Sequence, residues 1–274
     1  MRTFVFLLAL LLPAPALAAG TWTNQGAAAC TAADYDAIVA LPAPADETTC
    51  QALDTGEVHQ YCAVTGYWQP PGTCPAALIV DNDGSVLPAS DTPAWTDHGA
   101  ATPISTAGGV ITISDTSGTQ YIRTYLTDAA NFDGTHNIGY IVRLRVTAQD
   151  AGPHPPASYM CLRVDAGPGG CFSFVAWVSL SAPGNFCPID GNLAMLKANP
   201  DQSPDNAAWN TYYIFYDAAK HEYRSGVLGR EYYRFNRAIV GNWTYVTEKT
   251  IVIGSYSPGG EATTEIDSMK VFVY

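Results

Sequence analysis

The chain reads as an all-β protein, a sandwich or barrel of short strands preceded by a small disulfide-stapled module. Three observations predict this. From residue 77 onward, runs of β-branched and aromatic residues alternate with Gly, Pro, Asn and Asp, and no convincing amphipathic helix exceeds two turns. Four of the seven cysteines crowd between positions 30 and 74. The breaker cluster Gln69-Pro70-Pro71-Gly72-Thr73-Cys74-Pro75 then sets a boundary near residue 76. The expected organisation is residues 1–19 as a signal peptide, 20–76 as a cysteine-rich module and 77–274 as the β domain.

Met1-Arg2 precede an apolar run from Phe4 to Leu12, and Ala14-Pro15-Ala16-Leu17-Ala18-Ala19 supplies the small residues that signal peptidase reads. That apolar core is about half of the ~20 residues a helix needs to cross a bilayer, and no later stretch is longer. A secreted product is expected, extracellular or periplasmic, without a membrane span. Twenty-five acidic residues stand against thirteen basic ones, a net charge of −12, which disfavours nucleic acid as a partner. With 47% hydrophobic and 14% charged residues, the chain has the composition of a folded protein.

Cysteines in an exported chain meet an oxidising compartment and are free to pair. A module of about 55 residues rarely holds itself by a hydrophobic core alone, and two disulfides would add about 2–4 kcal/mol each. Four cysteines allow three connectivities; Cys30 with Cys50 and Cys62 with Cys74 is the one expected here. Zinc is disfavoured because the intervening spacings of 19, 11 and 11 residues lack a C-x-x-C knuckle. Within the module, Glu57 to Cys62 and Val64 to Trp68 read as two strands around a turn.

In the β domain, Val110 to Asp115 alternates with period two. So does Tyr140 to Thr147, with Tyr140, Val142, Leu144 and Val146 on one face and Ile141, Arg143, Arg145 and Thr147 on the other. Cys171 to Leu180 puts Trp177 on its second face. The turn Ala166-Gly167-Pro168-Gly169-Gly170 could bring Cys161 and Cys171 together across a hairpin, leaving Cys187 over; Cys171 with Cys187 is the alternative. Tyr121 to Thr127, Tyr212 to Asp217, Thr250 to Ile253 and Thr263 to Tyr274 bring the total to about ten strands. A long loop is expected from Pro183 to Trp209.

Near the end, Thr250-Ile251-Val252-Ile253-Gly254-Ser255, the Ser-Pro-Gly-Gly loop at 257–260 and Thr264 to Phe272 resemble the closing strands of concanavalin A-like lectin and glucanase domains, in particular the laminin G-like branch. Val86-Leu87-Pro88 and Pro93-Ala94-Trp95 resemble that group's opening. The resemblance covers roughly residues 80–274. It implies an antiparallel two-sheet jelly-roll sandwich with a concave face that holds sugars in relatives, among which are binding modules, adhesion domains, glycosidases and lyases.

Glucanases of this superfamily carry Glu-x-Asp-x-Glu, and a retaining pair sits about 5–5.5 Å apart. Here Glu265-Ile266-Asp267-Ser268-Met269 supplies two acids, and the methionine that replaces the third cannot transfer a proton. A lyase would want a basic patch: Arg123, Arg143, Arg145 and Arg163 lie in strands expected to be adjacent, with His136 and His154 in loops. Solvated sheet surface is the blander account of such arginines.

Sugar sites combine flat aromatic rings with groups that grip hydroxyls. Trp177, Trp209, Asn210, Tyr212, Arg143, Arg145 and Trp243 supply both kinds and are the candidate ligand-binding residues. Asp81 and Asp83 offer oxygens for a structural calcium, but the downstream glutamate of a helix-loop-helix calcium loop is missing and a polar turn is the preferred reading; no other cofactor is implied. The function expected is non-catalytic binding of carbohydrate or another extracellular ligand. A polysaccharide hydrolase or lyase on the same face and a structural or adhesion component are the alternatives.

Overall fold

The cysteines and turn residues cut the N-terminal segment into four strands rather than two: β1 (Cys30–Ala32), β2 (Thr49–Ala52), β3 (Val58–Cys62) and β4 (Tyr67–Gln69), with one short helix, α1 (Tyr35–Val39). These come from a computed structural model that describes residues 30–45, 48–54, 56–98, 104–115, 122–127, 131–132, 135–149, 157–163, 173–178, 186–189, 205–220, 222–228, 230–238, 250–256 and 262–274. The expected signal peptide lies outside the described residues. Asp34 starts α1 by accepting the Ala37 amide at 2.8 Å, which satisfies one of the helix's unpaired donors. Cys30 lies directly opposite Cys50 in the parallel β1–β2 pair, so the Cys30–Cys50 disulfide staples two neighbouring strands. Cys62–Cys74 ties the end of β3 to the segment that leaves the module. Ile38, Cys50, Ala52 and Trp68 form its small core.

Fourteen further strands are described: β5 (Leu78–Asn82), β6 (Thr96–His98), β7 (Ile104–Ala107), β8 (Val110–Asp115), β9 (Ile122–Thr127), β10 (Ile138–Gln149), β11 (Ala157–Arg163), β12 (Ser173–Val178), β13 (Phe186–Ile189), β14 (Asn210–Asp217), β15 (Glu222–Val227), β16 (Arg230–Ala238), β17 (Thr250–Tyr256) and β18 (Ala262–Val273). They pair antiparallel in two sheets. One runs β16-β15-β14-β10-β18-β8-β7, with β5 also on β18; the other runs β13-β12-β11-β17-β9-β6. The architecture is the expected all-β jelly-roll sandwich behind a disulfide-stapled module. One expectation gives way: the loop read from Pro183 to Trp209 contains β13. Two strands lie outside those read from the sequence, β15 and β16.

The period-two reading of β10 describes its inner face well. Tyr140, Val142, Leu144 and Val146 are buried and meet Ile111, Ile113, Tyr212, Ile214, Ile266 and Met269 of the same sheet and Trp95, Leu126 and Ile253 from the opposite side. The outer face divides in two. At one end Ile141, Tyr213, Phe215 and Phe272 form a second apolar cluster, against which Tyr67 of the module and Leu78 pack. The Tyr67 hydroxyl also lies 3.3 Å from Ser268 Oγ. Arg143 and Arg145 stand at the other end.

Candidate functional site

On β10, Arg143 and Arg145 are two residues apart and project from the outer face, where the central strand β18 supplies their partners. Arg145 is in register with Glu265, and its Nε and Nη2 reach Glu265 Oε2 at 2.7 and 2.6 Å. Arg143 is in register with Ser268, because a bulge in β18 leaves Asp267 without an opposite residue. Arg143 Nη1 donates to Asp267 Oδ2 at 2.7 Å. Trp209, just before β14, completes the group: the guanidinium carbons of Arg145 and Arg143 lie 4.7 and 5.3 Å from its ring centroid, inside cation–π range.

The sequence-predicted Asn210 and Tyr212 hold the segment that carries Trp209. Asn210 Nδ2 donates to the Asp205 and Ala208 carbonyls at 2.9 and 3.1 Å. The Tyr212 hydroxyl donates to Asn206 Oδ1 at 2.7 Å, and the Asn206 carbonyl accepts the Val146 amide at 2.9 Å. Tyr212 is fully buried in the core, so the ligand contact read from sequence is corrected to an anchoring role. Asn206 is the residue that sequence reasoning missed; an asparagine four positions before a strand carries no signal that it will be buried.

The same site leaves hydrogen-bonding capacity unused. Arg143 Nε and Nη2, Arg145 Nη1, Asp267 Oδ1 and Glu265 Oε1 have no hydrogen-bond partner among the described residues. The four side chains keep 23–40% of their surface exposed. Donors and acceptors therefore sit in fixed positions beside an aromatic ring on an accessible sheet face.

Other candidates fall elsewhere. Trp177 lies in β12 of the opposite sheet, and Trp243 lies outside the described residues. Cys161 is in register with Val175, while Cys171 lies outside the described residues. Arg123 and Arg163 belong to β9 and β11 of the six-stranded sheet, so the arginines expected in adjacent strands divide between two sheets. Met269, in the position of the third acid, is buried in the core, because the bulge at Asp267 switches which residues of β18 face inward.

Asp81 ion-pairs with Lys270. Asp83 Oδ1 accepts the Ser85 amide at 3.0 Å and the Ser85 hydroxyl at 2.5 Å, and these bonds hold its carboxyl below the usual range. Each calcium candidate is thus engaged by the chain itself, Asp81 from within β5 and Asp83 just beyond its end. Among the described residues no group of three or more His, Cys, Asp or Glu is placed to hold a metal ion.

No protein-family model matches the chain, and no curated protein matches it in sequence. The similarity that exists is to solved structures. A Trypanosoma rangeli sialidase in complex with 2,3-difluoro-KDN superposes with a TM-score of 0.52 and 10% identity over 77% of this chain and 32% of that one. Another sialidase gives 0.49 and 13% identity over 81% of this chain and 22% of that one. Winged bean acidic lectin complexed with methyl-α-D-galactose gives 0.49 and 10% identity over 70% and 96%. The chain spans only 22–32% of the sialidases' lengths. At these identities the likeness bears on the fold alone.

Proposed function

We propose that the protein is a secreted, lectin-like carbohydrate-binding protein of concanavalin A-like type, with the outer face of β10, β18 and the Trp209 segment as its ligand site. The observation that carries this is the partly exposed indole flanked by two guanidiniums, each held by a carboxylate with donors and acceptors to spare. An indole accepts the C–H face of a pyranose, and fixed donors and acceptors orient its hydroxyls. Pre-positioning by ion pairs lowers the ordering cost of binding.

The disulfides and the N-terminal sequence support secretion, and no helix among the described residues is long and apolar enough to cross a membrane. The residue 76 boundary divides the chain into the disulfide-stapled module and the binding domain.

The test is electrophoresis of the mature protein through native gels cast with a panel of polysaccharides, with released sugar ends assayed from the same lanes. The expected result is retardation without cleavage, reduced at least about tenfold in Trp209→Ala, the loss of roughly 1.4 kcal/mol of stacking. Cleavage would overturn the binding-only reading in favour of a hydrolase or lyase.

A further inference from the structure

We infer that this site, if it is the glycan site just proposed, selects neutral sugars and rejects those bearing carboxylate or sulfate groups. Arginines on a sugar-binding face ordinarily suggest an anionic ligand, since the guanidinium fork matches a carboxylate. Here that role is already filled from within the chain. Arg143 is compensated by Asp267 at 2.7 Å and Arg145 by Glu265 at 2.6 Å, so the four groups together carry no net charge. An incoming carboxylate would have to displace one already in place, tethered to the neighbouring strand at no cost in association entropy.

The spare atoms point the same way. Glu265 Oε1 and Asp267 Oδ1 are acceptors that repel an anion, whereas a sugar hydroxyl can donate to them and accept from Arg145 Nη1 or Arg143 Nη2. The nearby cation on β18, Lys270, is ion-paired with Asp81 and adds no uncompensated positive charge. The overall charge of −12 opposes anionic polymers further at low ionic strength.

The inference predicts what removing the internal carboxylates does. The double variant Glu265→Gln with Asp267→Asn keeps hydrogen-bonding side chains of nearly the same shape but releases two uncompensated guanidiniums beside Trp209. Wild type and variant are run through gels containing galactomannan, mixed-linkage β-glucan or polygalacturonate, at low and high salt, after thermal melting confirms that both are folded. The expected result is that a neutral polymer retards the wild type at least about tenfold more strongly than polygalacturonate does, independently of salt. The variant is expected to gain retardation on polygalacturonate that fades with salt.

Wild-type retardation by polygalacturonate equal to that by any neutral polymer, abolished by Arg145→Ala, would overturn the selectivity while leaving the site a glycan site. A folded variant that gains no affinity for polygalacturonate would likewise overturn it. Absence of wild-type retardation on all three polymers would overturn the function proposed above, and the selectivity with it.

Discussion

Gly84 shows how little room the sandwich leaves at its turns. Its φ of +78° lies in the left-handed region, and a Cβ there would come within 2.3 Å of the Gly109 carbonyl oxygen and 2.8 Å of that of Asp267. Both neighbours are backbone and cannot swing away. Gly84→Ala is expected to destabilise the fold by about 1–3 kcal/mol in urea titration; a change within about 0.5 kcal/mol would show that the turn can relax. Tyr216 makes a different prediction. Burial, with a smaller contribution from Asp217, raises its phenol from 10.0 to about 12. Between those pH values the unfolded chain loses this proton and the folded chain keeps it, so stability falls as pH rises through the interval, by up to about 1.4 kcal/mol per unit. The urea midpoint should fall from pH 10 to 12, and Tyr216→Phe should lessen that slope; an unchanged slope would remove Tyr216 as its cause. At this level the sequence was partly legible. Alternation put Arg143 and Arg145 on one outward face, but it could not place Tyr212, because Tyr212 to Tyr216 are buried without interruption and periodicity has nothing to read there.

Strand β18 carries most of what the sequence concealed. Its alternation is regular through Ile266, then the extra residue at Asp267 reverses it, so that Met269 and Val271 face the core. A bulge is a fact of register between two strands, and a single strand's sequence does not announce it. The Glu-x-Asp-x-Met pattern was recognisable as an incomplete acid set; that its last position points into the core was not. Met269→Glu, which completes that pattern, is accordingly expected to bury a carboxylate and destabilise the protein by roughly 3–5 kcal/mol, without conferring glucanase activity. Urea titration and a reducing-end assay check both halves, and a stable variant would mean that position 269 can turn outward. β13, β15 and β16 were hidden for a different reason: their Tyr, Arg, Asn and Pro content resembles ligand-binding loops as much as strands, and only pairing with a neighbour decides between them.

Across the whole molecule, the N-terminal module and the sandwich meet where Tyr67 joins Ile141, Tyr213, Phe215 and Phe272, with Ile141 two residues along β10 from Arg143 of the charged group. The two disulfides close sequence separations of 20 and 12 residues and are worth about 2–4 kcal/mol each to the module. Reduction should therefore loosen the module before the sandwich, uncovering the apolar cluster. A hydrophobic dye should bind the reduced protein while most of its β-sheet circular dichroism persists; simultaneous loss of both signals would show that the two parts unfold as one. The composition and cysteine positions foretold the stapled module, but its seat on the sheet depends on contacts between residues some 200 positions apart, as in the Tyr67–Ser268 pair.

Because β18 fills the middle of its sheet, bonded to β10, β8 and β5, every one of those strands waits for a segment that is synthesised after them all. Pairing β10 with β18 closes a loop of more than a hundred residues, which places folding among the slow, topology-limited cases. During synthesis the sheet lacks its centre, and a ribosome-bound chain short of residue 262 has no means of finishing its core. Until β18 is made, then, the long sheet can exist only as separate halves, β10 with β14 to β16 on one side and β7 with β8 on the other.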